Sequence, residues 1–153
     1  MAYRDLGDFI ETLEKRGELR RVGREVDAEL EITEIADRVM KAGGPALLFE
    51  RVKGYRWPLL INAMGTEARM ALALGAESLD AKAKEIEDLI AWAWGNLRGF
   101  SLLKAVPSAL PKLPVAYSLL PRHVSRPPCR EVETRDEGFS SLPVLKCWPK
   151  DGG

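Results

Sequence analysis

Leu142-Pro-Val-Leu-Lys-Cys-Trp-Pro-Lys-Asp-Gly-Gly153 closes this chain. It reads as a short strand, an exit broken by Pro149, and a turn. Asp151-Gly152-Gly153 suits backbone at positive φ, or backbone brought close against a ligand. Such a turn ordinarily feeds another strand, so the sequence is expected to stop at the edge of a site. Upstream, Arg130-Glu-Val-Glu-Thr134 is a second short alternating stretch. Two strands without partners of their own are not a stable unit. They are expected to open a β-domain whose remainder lies elsewhere. Six prolines between Pro107 and Pro128 rule out helix and central strand there. That stretch is expected to be an extended connector running along a surface.

The front of the chain has the periodicities of a mixed α/β domain. Asp5 is placed to cap a first helix whose apolar face is Leu6, Phe9, Ile10 and Leu13, and Gly17 is placed to stop it. Glu18 to Val26 holds a short strand. Asp27 is expected to cap a second helix with the stripe Ile32, Ile35, Ala36, Val39 and Met40, ended by Gly43-Gly44-Pro45. Ala46 to Glu50 and Leu59 to Asn62 read as strands, with Lys53-Gly-Tyr-Arg56 as the turn of a hairpin. Thr66 caps a short helix that Gly75 terminates. A fourth helix starts near Ser78 to Asp80 with the stripe Ile86, Leu89, Ile90, Ala93 and Leu97. These elements predict an α+β chain: an amino-terminal domain over 1–105, a connector over 106–128, and an incomplete β-domain over 129–153.

Composition narrows the classes. The 153 residues carry 23 Lys and Arg against 23 Asp and Glu. A surface that tracks phosphates needs an excess of cations, so nucleic acid is not an expected partner. Cys129 and Cys147 are too few for a disulfide framework. No leader peptide is read at the start and no apolar run reaches membrane-spanning length, so a reducing cytoplasm is expected. The absence of Gln and the abundance of Arg and Glu lean toward a thermophilic source.

Each suggestive residue has a plainer reading. His123 has no Cys, Asp or His neighbours at ligand spacing, so a structural or solvent role outweighs catalysis or metal binding. Cys129 and Cys147 lack CxxC spacing and are expected to be buried structural thiols. The basic run Lys15, Arg16, Arg20, Arg21 and Arg24 is interrupted by Glu18 and Glu25 and reads as a solvated edge. Trp92 and Trp94 stand two apart on a helix, so one is expected in a core and the other against a further element or a partner. Gly43-Gly44 follows a helix rather than preceding one, which excludes phosphate capture at a helix start. No GxGxxG, GxxxxGK[ST] or GxSxG occurs.

Four stretches in order add to this reading. They are Arg4-Asp-Leu-Gly-Asp-Phe-Ile-Glu-Thr-Leu-Glu-Lys-Arg-Gly-Glu-Leu19, Val26-Asp-Ala-Glu-Leu-Glu-Ile-Thr-Glu-Ile-Ala-Asp-Arg38, and Gly44-Pro-Ala-Leu-Leu-Phe-Glu-Arg-Val-Lys-Gly-Tyr55 with Asn62-Ala-Met-Gly-Thr66, Arg69 and Leu74-Gly75 behind it; the closing segment is the fourth. Together the chain resembles the UbiD family of decarboxylases, which use prenylated flavin mononucleotide. The resemblance implies an amino-terminal α/β domain followed by the first strands of a split β-barrel of the FMN-binding kind. It implies decarboxylation of aromatic or α,β-unsaturated acids, quinone precursors among them, with the modified flavin as electron sink. An arginine, two acidic residues and a divalent ion, typically manganese, complete the family's site.

In that family the catalytic arginine, the acidic pair and the metal ligands all follow the Asp-Gly-Gly turn. No catalytic and no metal residue is therefore assigned in 1–153. Asp151, Gly152 and Gly153 are expected to lead toward the cofactor region. The chain by itself is expected to be inactive and to bind neither flavin nor metal, with the rest of the enzyme or a second copy as its partner. The alternative is a non-enzymatic assembly or regulatory module that pairs with a chain supplying the rest of the barrel. A small flavin-reductase-like binding protein would need a complete barrel. The tail from about residue 125 is expected to be mobile or to pair with a neighbouring molecule.

Overall fold

A four-residue strand buried along its whole length sits at the centre of the architecture. The computed structural model describes residues 3–97, 121, 123–125, 127 and 138–151. In chain order the elements are α1 (Leu6–Lys15), β1 (Leu19–Val22), α2 (Glu31–Lys41), β2 (Ala46–Phe49), β3 (Leu59–Ile61), α3 (Glu67–Ala73) and α4 (Leu79–Leu97), with a 3-10 turn at Phe139–Ser141. The chain divides into two compact units, Met1–Leu79 with Arg135–Gly153, and Asp80–Thr134. The fold class is α+β, as expected.

In the first unit the sheet order is β1-β2-β3. β1 runs parallel to β2 with Leu19 opposite Ala46, and β2 runs antiparallel to β3 with Leu48 opposite Leu60. A parallel pair needs a crossover, and α2 supplies it; an antiparallel pair needs only a turn. That turn is the expected one: the Tyr55 N–H donates to the Val52 carbonyl at 3.0 Å, and Gly54 takes φ +79°.

Alternation along β2 sends its side chains to two cores. Leu47 and Phe49 join Val26, Ala28, Ile32 and Val52, against Ile35 and Val39 of α2. Ala46 and Leu48 join Phe9, Leu13 and Leu19, against Leu72 and Ala73 of α3. The sheet is thus covered by α2 on one side and by α1 and α3 on the other. β1 is an edge with Arg20 and Arg21 exposed on it and Arg24 exposed just past it, as the solvated-edge reading requires.

Helix ends follow their capping chemistry. The Asp5 side chain accepts from the Asp8 N–H and the Thr66 side chain from the Arg69 N–H, each satisfying a first-turn donor. Gly17, Gly43 and Gly75 take positive φ just past α1, α2 and α3. Gly44 is constrained differently. A Cβ there would lie 2.7 Å from Val39 Cγ1 and 3.0 Å from the Val39 carbonyl oxygen, so α2 and β2 approach closely only because it has none.

Three local expectations are corrected. Asp27 does not cap α2, which begins at Glu31 behind Leu30; Asp27 accepts instead from the Glu29 N–H at 3.0 Å. A short side-chain oxygen that satisfies the N–H two residues on makes a turn, not a helix start. Leu6 and Met40 belong to the expected apolar faces yet lie exposed at the helix margins. The short strand expected within Glu18 to Val26 is Leu19–Val22, and Val26 makes a bridge to Val52. The strand expected over Leu142 to Trp148 contracts to a single parallel bridge, Lys146 to Glu29. Pro143 and Pro149 flank that bridge and have no N–H to extend it.

The tail has a partner within its own chain. Lys146 donates its N–H to the Ala28 carbonyl at 3.2 Å and accepts the Leu30 N–H at 3.0 Å. Leu145 packs on the core beside Val26 and Ile32. The tail from about residue 125 was expected to be mobile or to pair with a neighbouring molecule; among its described residues, Lys146 pairs with the turn before α2.

The second unit is described through α4. Its expected stripe is half-buried at Leu89 and Ala93 but exposed at Ile86 and Ile90. Trp92 is half-buried and Trp94 is 62% exposed, on different sides as their spacing demands. Cys129, the strand Arg130–Thr134 and nearly all of the 106–128 connector lie outside the described residues. No helix among the described residues is long and apolar enough to cross a membrane.

Candidate functional site

Within the segment singled out for function, Leu142 to Gly153, Cys147 to Asp151 form a closed turn. The Asp151 N–H donates to the Trp148 carbonyl at 3.0 Å. One Asp151 carboxylate oxygen accepts from the Cys147 N–H at 3.2 Å and the Trp148 N–H at 2.9 Å. Asp151 is exposed, and its carboxylate shapes its own turn. Gly152 and Gly153 lie outside the described residues. The Lys146 ammonium meets Glu29 at 2.6 Å, and the Thr33 hydroxyl donates to the Cys147 sulfur at 3.7 Å. Cys147 is exposed, which corrects the expectation of a buried thiol. Its backbone neighbours are a prolyl exit and a polar turn rather than a core.

Beside this turn lies a cavity of about 470 Å³. Asp27, Glu29, Lys53 and Lys146 are its charged walls, with Tyr55 and Ser140 among the rest. Asp27 contacts Lys53 at 2.8 Å. The hydrogen bond from Lys53, helped by the Glu29 N–H, holds the Asp27 carboxyl below its ordinary value. The same bond and charge hold the Lys53 ammonium above its own. Both cations of the cavity are therefore matched by carboxylates on its rim.

That lining does not fit a flavin phosphate, which would meet two carboxylates and two cations already engaged. Nor does it fit manganese, which takes several oxygen ligands with few cations nearby. Among the described residues no group of three His, Cys, Asp or Glu side chains converges on one point. His123 is exposed. What the cavity offers is a polar binding surface with both signs of charge on its walls.

The second polar feature is one that sequence reading missed as a site. Arg69 was quoted only as part of a motif, yet it is 1% exposed. Its Nη1 donates to Glu18 at 2.8 Å and to the Gly44 carbonyl at 3.1 Å. Its Nε and Nη2 are buried without a hydrogen-bond partner. The motif Asn62-Ala-Met-Gly-Thr66 builds this enclosure. Asn62 turns the chain out of β3 at φ +59°, and its side-chain amide donates to the Ala36 carbonyl of α2 at 2.9 Å. Gly65 leaves room for Nη2, which would stand 3.0 Å from a Cβ there. Thr66 then starts the helix that carries Arg69. A smaller cavity of about 290 Å³ opens beside it between Arg16, Glu18 and Leu72. Only the glycine three residues past Asn62 and the cap at Thr66 hinted at a tightly packed corner.

Comparison with known proteins places these elements. Over its full length the chain is 44% identical to an uncharacterized protein of Archaeoglobus fulgidus, of which it spans 30%. It is 32% identical to the vanillic acid decarboxylase of Sedimentibacter hydroxybenzoicus in its closed form, over 61% of this chain and 20% of that one, with a TM-score of 0.51. It is 37% identical to an evolved dimeric form of the UbiD-class enzyme HmfF from Pelotomaculum thermopropionicum, in complex with prFMN, over 46% of this chain and 16% of that one, with a TM-score of 0.43. Residues 10–90, more than half of the chain, match the model of the 3-octaprenyl-4-hydroxybenzoate carboxy-lyase amino-terminal domain. They contain α1 from its second turn, the whole sheet, α2, α3 and the Arg69 corner. The chain belongs to the UbiD family, through its amino-terminal domain.

Proposed function

We propose that this chain is the amino-terminal portion of a carboxy-lyase that decarboxylates an aromatic or α,β-unsaturated acid, quinone precursors included, with prenylated FMN. The observation that carries this reading is the family match over residues 10–90. The likeness in fold and sequence to a vanillic acid decarboxylase supports it. Bound prenylated FMN would supply the electron sink for loss of carbon dioxide, with a manganese ion at its phosphate. The described residues supply a scaffold: a three-stranded sheet, its covering helices and a docked turn at 147–151. In this reading 1–105 is the amino-terminal domain, 106–128 the connector and 129–153 the opening of a split barrel. The rest of the enzyme, in the cytoplasm and as a homo-oligomer, completes the site.

The test is reconstitution. The chain is produced alone and joined to the portion of the Archaeoglobus fulgidus relative that lies outside the matched 30%. Both are loaded with prenylated FMN and given a panel of aromatic and cinnamate-like acids. The joined protein is expected to bind flavin stoichiometrically and release carbon dioxide, and the chain alone to do neither. Turnover by the chain alone would overturn the inactivity. A flavin-loaded joined protein inert toward every acid would overturn the carboxy-lyase reading.

A further inference from the structure

Leu30 is one of two non-glycine residues at positive φ among those described, at φ +66° and ψ −33°. It stands where α2 needs an N-cap, and its side chain makes no capping bond. A leucine in that region crowds its Cβ against the backbone, a cost that Asn largely escapes and that β-branched residues feel most. Something must hold it there. From within, the Glu31 N–H donates to the Glu29 carbonyl at 2.8 Å and the Glu34 N–H to the Leu30 carbonyl at 2.9 Å; from outside, the tail adds the Leu30 N–H to the Lys146 carbonyl at 3.0 Å and the Lys146 N–H to the Ala28 carbonyl at 3.2 Å. Around this pair the attachment is thin. It consists of the exposed Glu29–Lys146 ion pair, the Thr33 hydroxyl on the Cys147 sulfur and the half-buried Leu145. Phe139, Val144 and Trp148 on the same segment remain exposed.

We propose that residues 144–151 form a strap that opens and closes as a unit on the Ala28–Glu31 turn, with the strained φ of Leu30 as the spring that favours release. When the strap leaves, both main-chain bonds break together and Leu30 relaxes to an ordinary negative φ. Closure restores the strain and sets the Cys147–Asp151 turn against the start of α2. The two cores on β2 contain no strap residue except Leu145 at the rim, so opening leaves the sheet intact. The ion pair biases closure without controlling it, because both partners reach solvent. This device stands on the backbone geometry and holds whether or not the parent protein is a decarboxylase.

Amide hydrogen exchange on the full chain, resolved by residue, reads it directly. The Leu30 and Lys146 amides are expected to exchange at a common rate, well above that of Leu48 and Phe49 in β2. Leu30→Asn, which keeps the N–H and tolerates positive φ, is expected to slow both strap amides by up to about tenfold. Leu30→Val, which also keeps the N–H, is expected to speed both by a similar factor and leave β2 unchanged. The contrast between the two variants distinguishes strain from loss of a side-chain contact, since both lose apolar contact: Asn keeps the leucine outline with polar ends, and Val is one carbon shorter. Strap amides as slow as those of β2, or equal rates in the two variants, overturn the proposal. So does independent exchange of Leu30 and Lys146.

Discussion

Arg69 and Glu18, separated by 51 residues in sequence, meet at 2.8 Å with the guanidinium buried and the carboxylate half in solvent. The pair ties α3 to the entry of β1, and the same nitrogen reaches the Gly44 carbonyl at the entry of β2. One side chain therefore gathers three chain segments at one edge of the sheet. It does so at a cost, because two of its donors have no partner and unpaired buried donors are expensive.

This asymmetry sets the first prediction. Arg69→Ala removes the tie and leaves a void, and is expected to cost about 2–4 kcal/mol in urea unfolding. Arg69→Met keeps most of the volume and removes the unpaired donors, while Glu18 turns to water. It is expected to stay within about 1.5 kcal/mol of the parent, since apolar replacement of a buried ionic group is often nearly neutral. Equal losses in the two variants would mean that charge, not packing, holds the corner.

How much of this was legible follows from sequence separation. Caps and stops announce themselves within one turn, so Asp5, Gly17, Thr66 and Gly75 were read correctly, as was the hairpin around Gly54. Asp27 was misread because the same side chain serves a cap or a turn, and only the following backbone decides between them. The return of Lys146 to Glu29 spans 117 residues, and nothing in either segment names the other. The burial of Arg69 was equally silent: arginine is ordinarily a surface residue, and its enclosure depends on Gly44, Gly65 and Glu18 arriving from separate elements. Membership of the family was legible because motif order survives where contacts cannot be read.

The glycine pair after α2 makes the second prediction. Gly43 needs positive φ, whereas Gly44 needs the space that a Cβ would take from Val39. Gly43→Ala is expected to cost about 1–2 kcal/mol from the left-handed backbone alone. Gly44→Ala forces α2 away from β2 and is expected to cost about 1–3 kcal/mol by overpacking. Adding Val39→Ala should recover part of the Gly44→Ala loss and none of the Gly43→Ala loss in thermal unfolding. Equal recovery in both backgrounds would sink the distinction.

Acid sensitivity gives the third. Asp8, Glu14 and Asp27 are held below their ordinary values, chiefly by hydrogen bonds from Arg4, Arg21 and Lys53 respectively. A carboxyl whose folded pKa is depressed contributes stability that is present above its unfolded value and lost as pH falls through the folded one. The loss should therefore begin below about pH 4.5 and deepen through the usual carboxylate range. All three groups face solvent, so each contribution is small and salt weakens it. Urea midpoints are expected to be flat from pH 6 to 8 and to fall below pH 4. Asp27→Asn should flatten part of that fall at low salt and little of it at high salt. An unchanged acid slope in Asp27→Asn at low salt would refute the Lys53 contribution.

The fourth prediction concerns what Asp151 is for. Its carboxylate accepts two N–H groups of its own turn, so its acceptor geometry rather than its charge should matter. Asn retains one side-chain oxygen acceptor and Ala retains none. Asp151→Ala is expected to raise the exchange rates of the Cys147 and Trp148 amides several-fold, while Asp151→Asn leaves them within about twofold of the parent. In a complete, flavin-loaded protein the same logic extends to function. A residue that shapes the turn should tolerate Asn in flavin binding and fail with Ala, whereas one that donates charge to the site should fail with both. Loss of flavin binding in Asp151→Asn with the turn amides still protected would therefore move Asp151 from the scaffold into the site.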